Sequence, residues 1–279
     1  GETQFFLARL STPTRNCYTP GTMLSTIIGT GRALPQRIVT NAELSRRLNI
    51  SEEEIVRKTG IESRYWVDDE EKPSTLAAEA GRKAIEAAHL LPDEIDLLLV
   101  TTTTPDMYFP STACMVQKIL FKRSIPAFDL NASCSGFLYA LSVADQYLRN
   151  GSVEKVLVIA TDVKSRFINK DDVSTAILFG DGAGAVVLVK GEHGIQDIQI
   201  GADGAYHELV HLPGGGACLP LTGTSLKEGR HFMRMEGIRL FRVAVRKMES
   251  ALTDFLKKNH LSLPEIDFFI FHQANLRIL

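Results

Sequence analysis

Apolar positions along the chain fall into two alternating patterns. Short continuous runs at 97–101, 156–160 and 185–189 have the length and make-up of buried strands. Longer stretches at 77–89, 137–148 and about 240–258 repeat their apolar residues at helical spacing. Ser51-Glu52-Glu53-Glu54 reads as a capping box that opens a helix through Arg57. The alternation predicts an α/β fold. The pattern begins just after Met23, with Ser25-Thr26-Ile27-Ile28-Gly29. Residues 1–22 carry Phe5-Phe6-Leu7 and then scattered Arg, Ser, Thr and Pro. They lack both the long apolar core of a secretory signal and helical periodicity. We read them as an upstream or non-native extension, with Met23 the natural start; a transit-like peptide is the alternative.

The pattern also repeats itself. Helix 77–89 is followed by Leu91-Pro92-Asp93-Glu94-Ile95-Asp96 and an apolar strand. The helix at about 240–258 is followed by Leu263-Pro264-Glu265-Ile266-Asp267 and the apolar run Phe268-Phe269-Ile270-Phe271. This match predicts two related halves, 23–191 and 192–279. The first half continues for roughly 90 residues past its strand, and the second for eight. By symmetry, the second half is incomplete by on the order of 60–80 residues.

Composition narrows the function classes. With 279 residues and a net charge of −2, the chain has room for a large core. It has no charge bias toward nucleic acid or a membrane surface. No apolar run reaches the length of a membrane span. Cys17, Cys114, Cys134 and Cys218 lack pairing or metal-ligand spacing, which fits a reducing cytoplasm. Asp162, Asp171, Asp172 and Asp181 likewise have no metal-ligand spacing. Gly29-Thr30-Gly31 lacks the rest of a dinucleotide fingerprint, and Gly180-Asp181-Gly182-Ala183-Gly184 lacks the lysine of a P-loop. Both read as tight turns, and Gly214-Gly215-Gly216 as a flexible loop.

Cys134 is the first candidate for chemistry. It stands in Asn131-Ala132-Ser133-Cys134-Ser135-Gly136-Phe137, between a strand-like run at 125–130 and the helix at 137–148. A helix N-terminus presents partial positive charge and free N–H groups, which favour a thiolate. A lone cysteine is also a common small core residue, so a second residue is needed. His272 follows the repeat strand of the second half directly. A structural histidine is the plainer reading of such a residue. Related halves can, however, bring matching strand ends together, and that pairs His272 with Cys134.

The chain resembles β-ketoacyl-acyl-carrier-protein synthase III, the condensing enzyme that starts type II fatty acid synthesis. The resemblance rests on Asn131 to Phe137, on Phe179-Gly180-Asp181-Gly182-Ala183-Gly184-Ala185, and on His272-Gln273-Ala274-Asn275-Leu276-Arg277-Ile278. Lys58-Thr59-Gly60-Ile61 and Phe109-Pro110-Ser111 agree with it. It covers about 23–279. It implies a thiolase-like αβαβα fold of two duplicated halves, usually a homodimer, with neither metal nor redox cofactor. A coenzyme A thioester is the expected substrate. By the resemblance, Cys134 is the acylated nucleophile, and His272 stabilises the enolate formed from malonyl carrier protein. Phe109, Gly237, Ala274 and Asn275 contact substrate, with Phe109 crossing the dimer interface to the partner's acyl pocket. Gln273, Leu276, Arg277 and Arg242 dock the acyl carrier protein.

Departures from the family pattern qualify this. Glu54 stands where an adenine-stacking tryptophan is usual. Lys58 and Val173 replace arginines, and Ile238 replaces an asparagine. Stacking and bidentate phosphate contacts are thereby lost. These changes point toward a longer or unusual acyl donor, or one delivered on a carrier protein. The family's third catalytic residue, an asparagine beyond the histidine motif, is not within the sequence, and neither is the glycine-rich loop that completes its oxyanion hole. The resulting expectation is a polypeptide without condensing activity that folds poorly alone. Two alternatives accompany the condensing reading: an acyltransferase of specialised metabolism that does not decarboxylate, and an inactive truncated subunit.

Overall fold

A computed structural model describes residues 23–278. Its centre is a five-stranded mixed sheet in the order β1-β7-β6-β4-β5. These strands are β1 (Leu24–Ala33), β4 (Leu97–Thr101), β5 (Ala127–Leu130), β6 (Lys155–Val163) and β7 (Asp181–Gly191). β4 runs parallel to β5 and β6, whereas β7 is antiparallel to β1 and β6. Alternation along the strands divides the core in two. Leu98 and Val100 of β4 join Leu157 and Ile159 of β6 on one face. Leu97, Leu99, Val156 and Val158 occupy the other. Both faces are covered, so β4 reads as an unbroken apolar run rather than an alternating one.

Helix α3 (Pro73–Ala87) and α4 (Thr112–Leu120) cover the first face, and α5 (Gly136–Arg149) covers the second. α3 starts four residues before the helix expected at 77–89, because Pro73 stands in its first turn, where a fixed φ and a missing N–H cost nothing. Gly29 and Gly31 are not in a turn but in the middle of β1. A Cβ on Gly31 would stand 2.1 Å from the carbonyl oxygen of Ala80, and one on Gly29 would stand 2.3 Å from that of Ala84. The glycines let the alanine-rich helix lie directly on the strand. Gly182 and Gly184 are strand residues too, within β7.

A smaller unit flanks the sheet. β2 (Arg37–Thr40) pairs antiparallel with β3 (Ser63–Trp66), and α1 (Asn41–Leu48) and α2 (Glu52–Thr59) lie between them in sequence. Val39, Leu44, Ile55 and Trp66 form its core with Ile168 and Ile177. Ser51 caps α2 by accepting from the Glu54 amide at 3.1 Å. The expected return half of the capping box gives way to an ion pair, because the Glu54 carboxylate meets Lys58 one turn on, at 2.7 Å. Short α6 (Val173–Ala176), the two-residue strands β8 (Val210–His211) and β9 (Arg234–Met235), and α7 (Gly223–Lys227) lead to the long amphipathic α8 (Gly237–Lys258).

The predicted repeat is visible in local geometry. α3 and α8 both end in a left-handed histidine, His89 at φ 56° and His260 at φ 52°. In each case the next residue donates back into the helix, Leu90 to Ile85 and Leu261 to Leu256. Each is followed by a short 3₁₀ turn whose glutamate accepts a backbone N–H, Glu94 from Leu91 and Glu265 from Ser262. One offset aligns Ala87 with Lys258, the two histidines, the two glutamates, and Thr101 with His272. The shared Leu-Pro pair is out of step by one residue. The strand expected at 268–271 does not form among the described residues. Ile270 makes an isolated bridge, and Phe268 and Ile270 are largely exposed. An apolar run becomes a strand only when neighbours take up its backbone groups.

Candidate active site

Parallel β5 ends at Leu130, and the chain turns through Ser133–Ser135 into α5. Ser133 adopts a left-handed φ of 51°, and the Ser135 amide donates to Ala132 O at 3.1 Å. The turn places Cys134 directly before the helix. Gly136 has a packing reason here: a Cβ on it would stand 1.9 Å from Thr101 Oγ1 at the end of β4. The small residues around the cysteine thus let α5 start against the neighbouring strand's end.

His272 reaches the same place from the second matched segment, and its ring acts on the Cys134 thiol. Cys134 is open to solvent yet sits deep among protein atoms. Desolvation is the largest single influence on the thiol and pushes its pKa up. The hydrogen bond and charge of His272 oppose this, with the charge of Lys164, and the net result is a thiol below its ordinary range. The same hydrogen bond raises the His272 imidazole above its ordinary value, against desolvation. The two shifts favour a thiolate–imidazolium pair.

The residues after His272 are fastened to the C-terminal end of α2. There the last carbonyls of the helix lack internal partners. Arg277 Nε donates to Arg57 O at 2.8 Å, Asn275 Nδ2 to Lys58 O at 3.1 Å, and the Leu276 amide to Thr59 O at 3.1 Å. Gly60 stands at φ 73°, and a Cβ there would stand 2.5 Å from Leu276 Cβ. This contact explains why the motif Lys58 to Ile61 and the histidine motif occur together. Asn275 Oδ1 also accepts from the Arg277 amide at 2.9 Å. The side chain that the resemblance assigns to substrate therefore also ties the loop together.

The other expected residues lie on exposed segments. Phe109 is 84% exposed on the segment between β4 and α4. Gly237 opens α8, and Arg242 lies exposed along it. Gln273, Ala274, Leu276 and Arg277 are exposed around the docked segment. Of the departures, Glu54 pairs with Lys58, Val173 packs on the smaller core, and Ile238 is exposed.

Sequence reasoning missed a polar knot behind the cysteine. Asp162 Oδ1 accepts from Thr103 N at 2.9 Å and from the hydroxyls of Thr102, Thr103 and Thr104 at 3.3, 2.9 and 3.1 Å. Lys164 Nζ donates to Thr103 Oγ1 and lies 3.6 Å from Asp162 Oδ2. The available signal was positional: Thr101 to Thr104 and Asp162 to Lys164 mark the carboxyl ends of β4 and β6, where sites of parallel sheets gather.

Comparison with known proteins agrees with this geometry. A β-ketoacyl-acyl-carrier-protein synthase III of Methylococcus capsulatus is 44% identical over 256 residues, covering 91% of this chain and 78% of the relative. The chain belongs to the β-ketoacyl-acyl-carrier-protein synthase III family. The family model for 3-oxoacyl-acyl-carrier-protein synthase III matches residues 128–204, the part of the chain that carries Cys134. The crystal structure of the Aquifex aeolicus synthase III superimposes with a TM-score of 0.82 at 39% identity, over 91% of this chain and 78% of that one. The priming β-ketosynthase of the R1128 polyketide pathway gives 0.83 at 31%, over 95% and 78%. The thiolase-like α/β fold is thereby established. Among the described residues, no helix is long and apolar enough to cross a membrane.

Proposed function

We propose that this synthase III family member carries out the first condensation of fatty acid synthesis through Cys134 and His272. The observation that carries the reading is the meeting of Cys134, directly before α5, with His272, each shifting the other toward a thiolate beside an imidazolium. In the first step the Cys134 sulfur attacks the carbonyl carbon of an acyl thioester. The donor's C–S bond breaks, and its sulfur leaves with the proton that Cys134 gave up. In the second, malonyl carrier protein loses carbon dioxide, and the electron pair left on its α-carbon attacks the acyl carbon. The bond to Cys134 breaks and a β-ketoacyl carrier protein is released. His272 donates a ring N–H hydrogen bond to the enolate oxygen, where charge develops in this step.

The finer assignments follow the family pattern. The two αβ units are related halves of one duplicated fold. Phe109, exposed and apolar, serves a homodimer as the cap of its partner's acyl pocket. Gly237, Ala274 and Asn275 line the path of the substrate arm. Gln273, Leu276, Arg277 and Arg242 receive the acidic carrier protein. The Glu54–Lys58 pair occupies the lysine where a nucleotide phosphate would look for a cation, which favours a donor carried on protein over free acetyl-CoA.

Intact-mass measurement after incubation with acyl-CoA or acyl carrier protein tests the reading. A single acyl adduct on the Cys134 peptide is expected, and its absence from a folded sample refutes the proposal. Release of carbon dioxide from malonyl carrier protein by the acylated protein marks condensation. An adduct that passes to another nucleophile without that release assigns the chain to plain acyl transfer.

A further inference from the structure

The carboxyl ends of β6, β4 and β5, three parallel neighbours, converge on one place. They deliver Lys164, Thr102 to Thr104, and Cys134. We propose that Lys164 is a positioning residue for the nucleophile: an ammonium group, clamped by Thr103 and Asp162, that keeps the Cys134 sulfur ionised for attack. This rests on the reading of Cys134 as the nucleophile.

The clamp is directional. The Thr103 hydroxyl spends its proton on Asp162 Oδ1, so its lone pair is free to accept from Lys164 Nζ. Thr104 Oγ1 accepts from the Val163 amide at 2.7 Å and donates to Asp162, locking the strand ends together. With Oδ1 taken by four donors, Asp162 offers Lys164 its other oxygen at 3.6 Å, a long ion pair. The lysine side chain is 19% exposed, unlike a solvated surface lysine. A cation held this way acts on a nearby sulfur through a partly water-excluded medium, where charge is poorly screened.

The groups that act on Cys134 are His272, Lys164 and Asp162. Lys164 draws the thiol pKa down more than Asp162 pushes it up. The lysine–aspartate pair is therefore not electrically silent at the sulfur. His272 supplies the larger part of the effect and Lys164 adds to it. Low-pKa cysteines characteristically sit beside such cations.

The test is the pH dependence of Cys134 alkylation by iodoacetamide in the full chain, with the modified peptide quantified by mass spectrometry. In Lys164→Met the midpoint moves up. Alkylation near neutral pH slows several-fold, and the plateau rate at high pH is unchanged, because the thiolate itself is intact. Lys164→Arg restores the original profile. Lys164→Gln, which also removes the charge, moves the midpoint up in the same way and carries the test if Lys164→Met does not fold. An unchanged midpoint in whichever of Lys164→Met and Lys164→Gln folds overturns the proposal. If the unmodified chain alkylates Cys134 no faster than exposed Cys114 and Cys218, the nucleophile reading itself has failed, which is a separate outcome.

Discussion

The two repeat units begin alike and end differently. α3 and α8 share their left-handed histidine, their back-donated amide and their glutamate-closed turn. After the first turn, β4 is taken up on both sides by β5 and β6 and is fully buried. After the second, the run at 268–271 forms no strand among the described residues, and Phe268 is 70% exposed. Local sequence sets helix ends and turns, whereas a strand exists only through its partners. Even so, both units end at the same point. Thr101 meets Gly136 beside the cysteine, and its counterpart His272 meets the cysteine itself.

Matched substitutions put this difference to the strongest test. Leu97→Ala should cost about 2–5 kcal/mol in urea denaturation, as a cavity in a fully packed core. The counterpart Phe268→Ala should cost within about 0.5 kcal/mol. Equal costs would mean that the second run is buried after all. Gly136→Ala comes next, at about 1–3 kcal/mol, since its methyl group would drive α5 off Thr101. If it is neutral, the close approach of α5 to β4 is wrong.

Asn275→Ala tests how the segment after the second unit is held on α2. It removes the bonds to Lys58 O and from the Arg277 amide, for about 1 kcal/mol, and loosens His272. Alkylation of Cys134 near neutral pH should slow with it; an unaltered rate would detach the docked segment from the site. His272→Ala should leave stability nearly unchanged and act on charge alone. The hydrogen bond holds the thiol below its ordinary range and the imidazole above its own. The ion pair is lost as pH falls through the lowered thiol pKa, and also as it rises through the raised imidazole pKa. Removing His272 should therefore shift the alkylation midpoint upward, and a downward shift would contradict the pairing.

Much of the site was legible because its residues sit at element ends, where composition is distinctive. Cys134 before a helix and His272 after an apolar run that matches β4 in sequence are both of this kind. The Asp162–Lys164–Thr103 knot was not legible. Thr103 lies 59 residues from Asp162 and 61 from Lys164, and each alone is an ordinary surface residue type. The reading of Gly29 and Gly31 as a turn failed for a related reason. Glycine signals either a turn or a close approach, and only the position of α3 on β1 decides between them.

The sequence by itself determined the α/β class, the helices and the two matched helix–turn segments, and it singled out Cys134 and His272 as candidates, since these follow from periodicity, capping and motif. Only the tertiary structure decided which apolar run becomes a strand, why Gly60 and Gly136 have to be glycines, and which charges act on the sulfur. Those depend on backbone groups and charges that are distant along the chain and close in space, and no local pattern encodes that distance.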